Sequence, residues 1–161
     1  MIVPQLLTLD DFHEDRENCV KELYRFYLDE IVNANLTFLG NPISFQFRPP
    51  KNGMHFGFYH LITEGGPSEE DREINFKRCQ RISWIPHILK NYQDFSKIKC
   101  WENIRGSSKH IVLWLHQHNY SVILAQRKEY FLLKTAYPIE NKHRIRKLDK
   151  ESKTFPDPRK G

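Results

Sequence analysis

The stretch from His110 to Tyr137, which reads HIVLWLHQHNYSVILAQRKEYFLLKTAY, constrains the fold of this chain more than any other part of the sequence. It contains three runs rich in β-branched, aromatic and aliphatic residues, separated by the short polar connections 117–119 and 126–129. Such a pattern is typical of consecutive antiparallel strands joined by tight turns. The sequence therefore predicts a three-stranded meander with strands over 110–116, 120–125 and 130–136.

Alternate residues of an extended strand share a face, so the last strand carries Thr135 and Tyr137 side by side. The same alternation puts Phe131 and Leu133 on that face and Lys134 on the opposite one. Both faces of the meander are largely apolar, so at least one of them needs a complete cover. Helices upstream are the obvious candidates for this cover.

The first half of the chain predicts helices and one more strand. Apolar residues recur at helical spacing from Val20 to Ile31, after a weak capping box formed by Thr8 and Asp11. Residues 43–47 alternate like a strand. The aromatic segment 54–62 fits either a helix or a strand.

The segment between the two glycines at 65–66 and the meander predicts helices followed by a link. Ser68 is a candidate N-cap for a helix whose apolar positions continue to Ile82, and Pro86 is expected to end or kink this helix. A further short helix is expected over 84–92. Residues 94–109 resemble a polar, irregular link.

The net charge of +5 is unevenly distributed along the 161 residues. Residues 1–30 contain three Lys or Arg against eight Asp or Glu, whereas the rest of the chain carries +10. Basic surfaces attract polyanions such as RNA, although the same charges also occur on ordinary solvated surfaces. We divide the chain into an acidic helical segment (1–39), a main domain (40–150) and a basic flexible tail (151–161).

The composition, with 39% apolar and 13% aromatic residues, is that of a globular domain rather than a disordered chain. No run of eighteen apolar residues is present, and the N-terminus lacks the pattern of a signal peptide, which favours a cytoplasmic protein without membrane contact. The dispersed Cys19, Cys79 and Cys100 are expected to be buried free thiols.

Three groups of side chains are candidates for chemistry, and each also has a purely structural explanation. His55 and His60 are the first, since imidazole exchanges protons near neutral pH, although a single histidine is more often simply packed. Thr135 and Tyr137 are the second, because neighbouring hydroxyls can hold a phosphate, but both residues are also common in strands. The third is a set of cations that either bind phosphates or keep hairpin connections soluble: Lys109, Arg127, Lys128 and Lys134.

The sequence contains no strong motif for a metal site or a cofactor site. His55 and His60 lack the i, i+4 spacing of a helical zinc motif, and the pair His116-x-His118 stands apart from the dispersed cysteines. There is no glycine-rich phosphate loop and no nucleophile elbow. We therefore expect neither a metal nor a cofactor.

Three segments, HFGFYHLI, IVLWLHQHNYSVILAQRKEYFLLKTAYPIE and KHRIRKL, resemble the phage and mobile-element nuclease domains grouped as Barnase–EndoU–colicin E5/D–RelE-like (PBECR). The resemblance covers roughly residues 40–150 and is most specific at the final hairpin, which ends in Thr135-Ala136-Tyr137. It implies a BECR-like α+β fold, in which N-terminal helices pack on a curved antiparallel sheet of four or five strands.

The resemblance also implies an activity, namely metal-independent RNA cleavage of the toxin type by attack of the ribose 2′-hydroxyl on the adjacent phosphorus. It points to His60 as the base or the acid, with His55 as the alternative, and to Arg127 as the phosphate clamp. Thr135 and Tyr137 would orient the scissile phosphate by hydrogen bonds.

RNA and an inhibitor are the partners implied. A base would stack on Tyr120 or Trp101, and basic side chains would bind phosphates, namely Lys109, Lys128, Lys134, Arg144, Arg146 and Lys147. A toxin made in its own cell needs an acidic antitoxin or immunity protein. The alternative functions are a non-catalytic RNA-binding or regulatory protein of phage or mobile-element origin, and an interaction domain in which the histidines are merely packed.

Overall fold

The first helix of the chain, α1 (Arg16–Glu30), begins later than the sequence predicted. In the computed structural model, which describes residues 2–160, its N-cap is Asp15, whose side chain accepts a hydrogen bond of 3.1 Å from the backbone N–H of Asn18. Residues 2–15 instead form an arm in which the carbonyl of Pro4 accepts a hydrogen bond of 2.8 Å from Nε1 of Trp84. The predicted apolar face of the helix is confirmed, since Leu23 and Tyr27 are buried.

Two short strands and a helix follow: β1 (Thr37–Phe38), β2 (Asn41–Phe45) and α2 (Phe56–Ile62). The segment for which the sequence left two possibilities is therefore helical. Gly57 lets α2 pack directly on the chain after β2, because a Cβ atom there would lie 3.1 Å from the backbone oxygen of Gln46. The backbone N–H of Gly57 donates a hydrogen bond of 2.8 Å to that same oxygen.

The single helix predicted from Ser68 to Ile82 is wrong. The segment contains β3 (Thr63–Glu64), a 3₁₀ turn over Glu69–Asp71, β4 (Glu73–Ile74) and α3 (Phe76–Gln80). Ser68 and Asp71 form a capping box, but Arg72 is extended, and its side chain holds Thr63 across the β3–β4 pair. The short helix predicted over 84–92 is confirmed as α4 (Trp84–Lys90), but Pro86 lies within α4 and does not end the preceding helix, which stops at Gln80. No helix within residues 2–160 is long and apolar enough to cross a membrane.

The second half of the chain contains four long strands and a helix, which are β5 (Ile98–Arg105), β6 (Ser108–Leu115), β7 (Tyr120–Gln126), β8 (Phe131–Pro138) and α5 (Lys142–Thr154). The predicted meander is confirmed as β6, β7 and β8. The irregular link predicted over 94–109 is wrong, because β5 pairs with β6 along its whole length. The sequence of β5 does not show the alternation of a half-buried strand, because only Ile98, Cys100 and Trp101 of its eight residues are buried.

These strands form a curled, mixed sheet of six strands in the order β1-β2-β8-β7-β6-β5, while β3 and β4 pair separately. The prediction of an α+β fold is confirmed, but a purely antiparallel sheet is not, because β2 runs parallel to β8. Between β2 and β8, the chain forms the helices α2 to α4 and the strands β5 to β7, after which β8 pairs with β2. Sequence periodicity carries no information about this pairing.

Both faces of the sheet are covered. The larger core lies between the sheet and helices α1 to α4. The smaller core lies on the other face under α5, and it contains Trp101, Val112, Trp114, Ile123, Ile139 and Leu148. The apolar character of both strand faces therefore follows from a helix on each side of the sheet.

The C-terminal segment, residues 155–160, is packed against β5, in contrast to the flexible tail expected over 151–161, of which Gly161 lies outside the described residues. Its carbonyl at Pro156 accepts a hydrogen bond of 2.9 Å from the backbone N–H of Glu102. The guanidinium of Arg159 bonds to Asp157 and donates to the carbonyl of Tyr92 at 2.7 Å. These contacts cover part of the exposed edge of the sheet.

Candidate active site

A polar cleft of about 450 Å³ lies where α2, the 3₁₀ turn over Glu69–Asp71, the sheet strands β5 to β8 and the start of α5 meet. Its lining combines two imidazoles, three cations, a carboxylate, two hydroxyls and an amide with two apolar side chains. The residues are Gln46, Phe56, His60, Glu69, Arg105, His110, Ile123, Lys134, Thr135, Tyr137 and Arg144. A larger hollow of about 620 Å³ beside α1 contains no histidine among its lining residues. The polar cleft is therefore the candidate active site.

A β-bulge in β8 shapes one wall of this cleft. Ile123 of β7 faces Thr135 and Leu124 faces Leu133, so Lys134 has no residue opposite it. The extra residue shifts the alternation by one position. Leu133 therefore packs in the larger core while Thr135 lines the cleft, and the predicted common face for these two residues is wrong.

The side chain of His60 is held at the cleft by the carboxylate of Glu69. The two residues form a hydrogen bond of 2.8 Å between Nε2 and Oε1. Burial is the main cause of a lowered pKa for His60, and the charges of Arg72 and Lys134 lower it further, whereas Glu69 raises it. Glu69 thus favours the protonated imidazole against the other influences on it.

The backbone of His60 is fixed by two donors from other elements. Oγ1 of Thr135 donates to its carbonyl at 3.1 Å, and Nη1 of Arg78 donates to the same carbonyl at 3.1 Å. The hydroxyl proton of Thr135 is therefore directed at the protein. In contrast to the expectation from the sequence, the Thr135 hydroxyl has no proton left in this arrangement to donate to a phosphate. Thr135 is therefore a positioning residue for His60.

A second imidazole, that of His110 in β6, lines the same cleft. Its Nδ1 is buried and has no hydrogen-bond partner within residues 2–160. Burial lowers its pKa, and the charges of Arg105, Lys134 and Arg127 lower it further. These influences favour the neutral form of the His110 imidazole, and a neutral imidazole can accept a proton.

Cations surround the two imidazoles. Lys134 comes from the bulge, Arg105 from the end of β5 and Arg144 from the first turn of α5. The guanidinium of Arg144 lies 5.5 Å from the ring centroid of Tyr137 and 3.4 Å from its hydroxyl. An anion that enters the cleft meets positive charge from three separate elements.

Several residues predicted for the site lie elsewhere. His55 is at the N-cap of α2, where its Nδ1 is 3.1 Å from the hydroxyl of Tyr27 and its ring packs edge-on against Phe47. It does not line the cleft that contains His60. The alternative assignment of His55 to the same site is therefore not supported, and its contacts are those of a packed histidine.

Both aromatic residues expected to stack on a base are fully buried. Tyr120 and Trp101 each have 0% of their surface exposed, because Tyr120 lies in the larger core and Trp101 in the smaller one. Stacking on either residue is excluded in this conformation, and that prediction is wrong.

The remaining predicted cations lie outside the cleft. Arg127 and Lys128 are in the turn between β7 and β8, where Arg127 is near enough to influence His110. Lys109 forms an ion pair of 3.5 Å with Glu102. Arg146 and Lys147 are exposed on α5, and Lys147 lines a neighbouring hollow.

Sequence reasoning missed three lining residues with ionisable side chains, namely His110, Arg105 and Glu69. His110 was included in the meander only as the beginning of a strand, and Arg105 was assigned to a link. The one signal available was a histidine, His110, at the start of an apolar run, and this signal does not identify a partner. Only the pairing of β5 with β6 and the position of the 3₁₀ turn bring these residues to His60.

Comparison of the chain with protein-family models, with curated proteins and with solved structures finds no match in any of the three. Arguments about function therefore depend on the cleft itself.

Proposed function

We propose that the protein is a metal-independent endoribonuclease that cleaves RNA by attack of a ribose 2′-hydroxyl on the adjacent phosphorus. The observation that carries this proposal is the presence of two imidazoles, His60 and His110, in one cleft together with Arg105, Lys134 and Arg144. General acid–base catalysis of this reaction needs two groups that exchange protons near neutral pH, and positive charge beside the phosphate.

The surroundings of the two imidazoles suggest different roles for them. His110 is surrounded by cations that favour its neutral form, so it acts as the base that removes the proton from the 2′-hydroxyl. His60 is bonded to the Glu69 carboxylate, which raises its pKa against the lowering by burial and by the charges of Arg72 and Lys134, so of the two imidazoles we assign His60 as the acid. The attacking O2′ forms a bond to phosphorus, the bond from phosphorus to O5′ breaks, and O5′ takes the proton from His60.

The expected products are a 2′,3′-cyclic phosphate and a 5′-hydroxyl end. Charge that accumulates on the non-bridging oxygens in the transition state is stabilised by the three cations, and a guanidinium can bind two phosphate oxygens at once. Arg105 and Arg144 take the role first assigned to Arg127, because they line the cleft and Arg127 does not.

The test is cleavage of cellular RNA by the purified protein in excess chelator, with end-group analysis. His60→Ala and His110→Ala should each lower the cleavage rate roughly 100-fold or more. His118→Ala is the matched control, because His118 is an exposed histidine in the turn between β6 and β7. Intact RNA with a folded wild-type protein would rule out the nuclease, and equal rates for all three variants would rule out His60 and His110 as its acid and base.

The alternative is a non-catalytic RNA-binding or regulatory protein, and one observation favours it. Nε2 of His60 is already bonded to Glu69, so the acid must leave this carboxylate or use its other nitrogen. This alternative predicts RNA affinity that falls steeply with salt concentration, because phosphate contacts release counterions. It also predicts no cyclic phosphate ends and no change in affinity for His110→Ala.

A toxin role would add an inhibitory partner. The three cations of the cleft would match an acidic antitoxin or immunity protein that covers them. Expression of the wild type should then arrest growth, whereas expression of the His110→Ala variant should not. Equal growth with both proteins at equal levels argues against toxicity.

A further inference from the structure

A second hollow continues the polar cleft along the sheet edge and α5. It has a volume of about 450 Å³ and is lined by Asn103, Arg105, Arg144, Lys147, Glu151 and Phe155. Arg105 and Arg144 line both spaces, so the two hollows adjoin at these arginines. Together, the two hollows extend from His60 and His110 to the C-terminal end of α5.

The helix presents one face to this second hollow. Arg144, Lys147 and Glu151 follow each other at intervals of three and four residues, which places them in a row on the helix surface. The adjacent Leu148 points into the smaller core and fixes the rotation of the helix. The packing of α5 against the sheet therefore sets the position of this row of side chains.

The charges of the second hollow favour an anion. Arg105, Arg144 and Lys147 supply three positive charges against one carboxylate, that of Glu151. This carboxylate accepts hydrogen bonds from Nδ2 of Asn103 at 3.3 Å and from Nε1 of Trp101 at 3.4 Å. Glu151 is therefore engaged by protein donors, while Lys147 is exposed and available to a phosphate.

An aromatic ring lies at the far end of the hollow. Phe155 is 40% exposed, so part of this residue is open to solvent. An exposed ring beside basic side chains is the arrangement with which proteins bind the bases and phosphates of single strands. A base paired within a duplex cannot offer its face to such a ring.

We propose that the second hollow is a nucleotide subsite for single-stranded RNA, in which Phe155 stacks on an unpaired base and Lys147 binds the phosphate that follows the scissile one. This inference rests on the proposed function, because it extends the path of the strand away from the imidazoles. It names the substrate as an unpaired segment that is longer than the two nucleotides flanking the cut.

The test uses fluorescein-labelled 2′-O-methyl oligoribonucleotides, which lack the attacking hydroxyl and remain intact during binding. Anisotropy titrations compare a trinucleotide with an octanucleotide. The wild type should bind the octanucleotide at least about 10-fold more tightly. Lys147→Ala and Phe155→Leu should each weaken octanucleotide binding about 5-fold or more while leaving the trinucleotide unaffected.

Two control variants separate this subsite from general effects of charge and folding. Lys150→Ala removes the same charge from another exposed position of α5 and should bind like the wild type. Phe155→Trp keeps an aromatic face and should also bind like the wild type, whereas Phe155→Leu retains only apolar bulk. A duplex of the same length should bind more weakly than the single strand.

Each contrary result has a defined meaning. Unchanged octanucleotide binding by Lys147→Ala and Phe155→Leu overturns the subsite, and so does an equal loss in Lys150→Ala. If the wild type still cuts the corresponding octanucleotide RNA, the proposed nuclease stands without this subsite. If the wild type neither binds nor cuts RNA, both proposals fall.

Discussion

The hydroxyl of Thr135 donates a hydrogen bond of 3.1 Å to the main-chain carbonyl of His60, joining β8 to α2 across 75 positions of sequence. The bulge at Lys134 makes this bond possible, because it turns Thr135 from the core face towards the cleft. The position of the candidate acid is thus coupled to an irregularity in a neighbouring strand. Bulges often re-aim side chains in this way beside active sites.

Removal of the Thr135 hydroxyl should impair catalysis through the position of His60. Thr135→Val keeps the shape of the side chain, and we expect it to lower kcat about 10-fold with little change in KM. The loss of one hydrogen bond should also cost about 1 kcal/mol of unfolding free energy. Steady-state cleavage and chemical denaturation measure the two effects.

Thr135→Ser is the control for that experiment, because it retains the donor and should recover most of the rate. Equal losses in the serine and valine variants would contradict a positioning role for the hydroxyl, and a raised KM would indicate direct contact with substrate instead.

Removal of the Glu69 charge should lower the pKa of His60 further. The carboxylate raises this pKa through its hydrogen bond and its charge, against burial and the charges of Arg72 and Lys134. In Glu69→Gln the imidazole should therefore lose its proton at lower pH than in the wild type. NMR titration of the His60 ring measures the change, with the exposed Glu70→Gln as the control. An unchanged or raised pKa in Glu69→Gln is incompatible with the bond between Glu69 and His60.

The stability of the protein should fall as the pH is lowered from neutral. Burial holds the pKa of His55, His60, His87 and His110 below the ordinary value of 6.5. The unfolded chain then binds more protons than the folded one below about pH 6.5, so the free energy of unfolding is greatest above that pH and decreases towards the lowered pKa values.

Thermal denaturation between pH 7.5 and pH 5 checks this expectation. His55→Gln should reduce the slope, since it removes one of the buried titrating groups. It should leave cleavage at pH 7.5 largely intact, because His55 lies outside the cleft. A cleavage loss as large as that of His60→Ala would return His55 to the active site.

The C-terminal segment should contribute measurably to stability. The side chain of Arg159 is 3% exposed, bonds to Asp157 at 2.7 Å and lies 4.1 Å from the ring centroid of Phe95. Arg159→Ala leaves the half-buried Asp157 without its partner, and we expect a loss of about 2 kcal/mol, or roughly 5 °C in Tm. Lys160→Ala, which changes an exposed neighbour, should have little effect. Identical melting curves for the wild type and Arg159→Ala would mean that the segment is detached in solution.

Local sequence pattern was sufficient to predict an element wherever its residues contact mainly their neighbours in sequence. The meander of β6, β7 and β8 and the apolar face of α1 follow from alternation and helical spacing, and both were predicted. The fold class also follows from the order of these elements. The same reasoning failed for β5, whose polar outer residues break the alternation, and at Lys134, where one inserted residue reverses it.

By itself, the sequence determined an α+β domain with a basic main part and identified His60, Lys134, Thr135, Tyr137 and Arg144 as candidates. Only the tertiary structure decided which side chains share a cleft. It joined His110 and Glu69 to His60, and it buried Tyr120 and Trp101. The reason is that strand pairing, helix rotation and a single bulge set distances between residues far apart in the chain, and periodicity within one segment does not encode those distances.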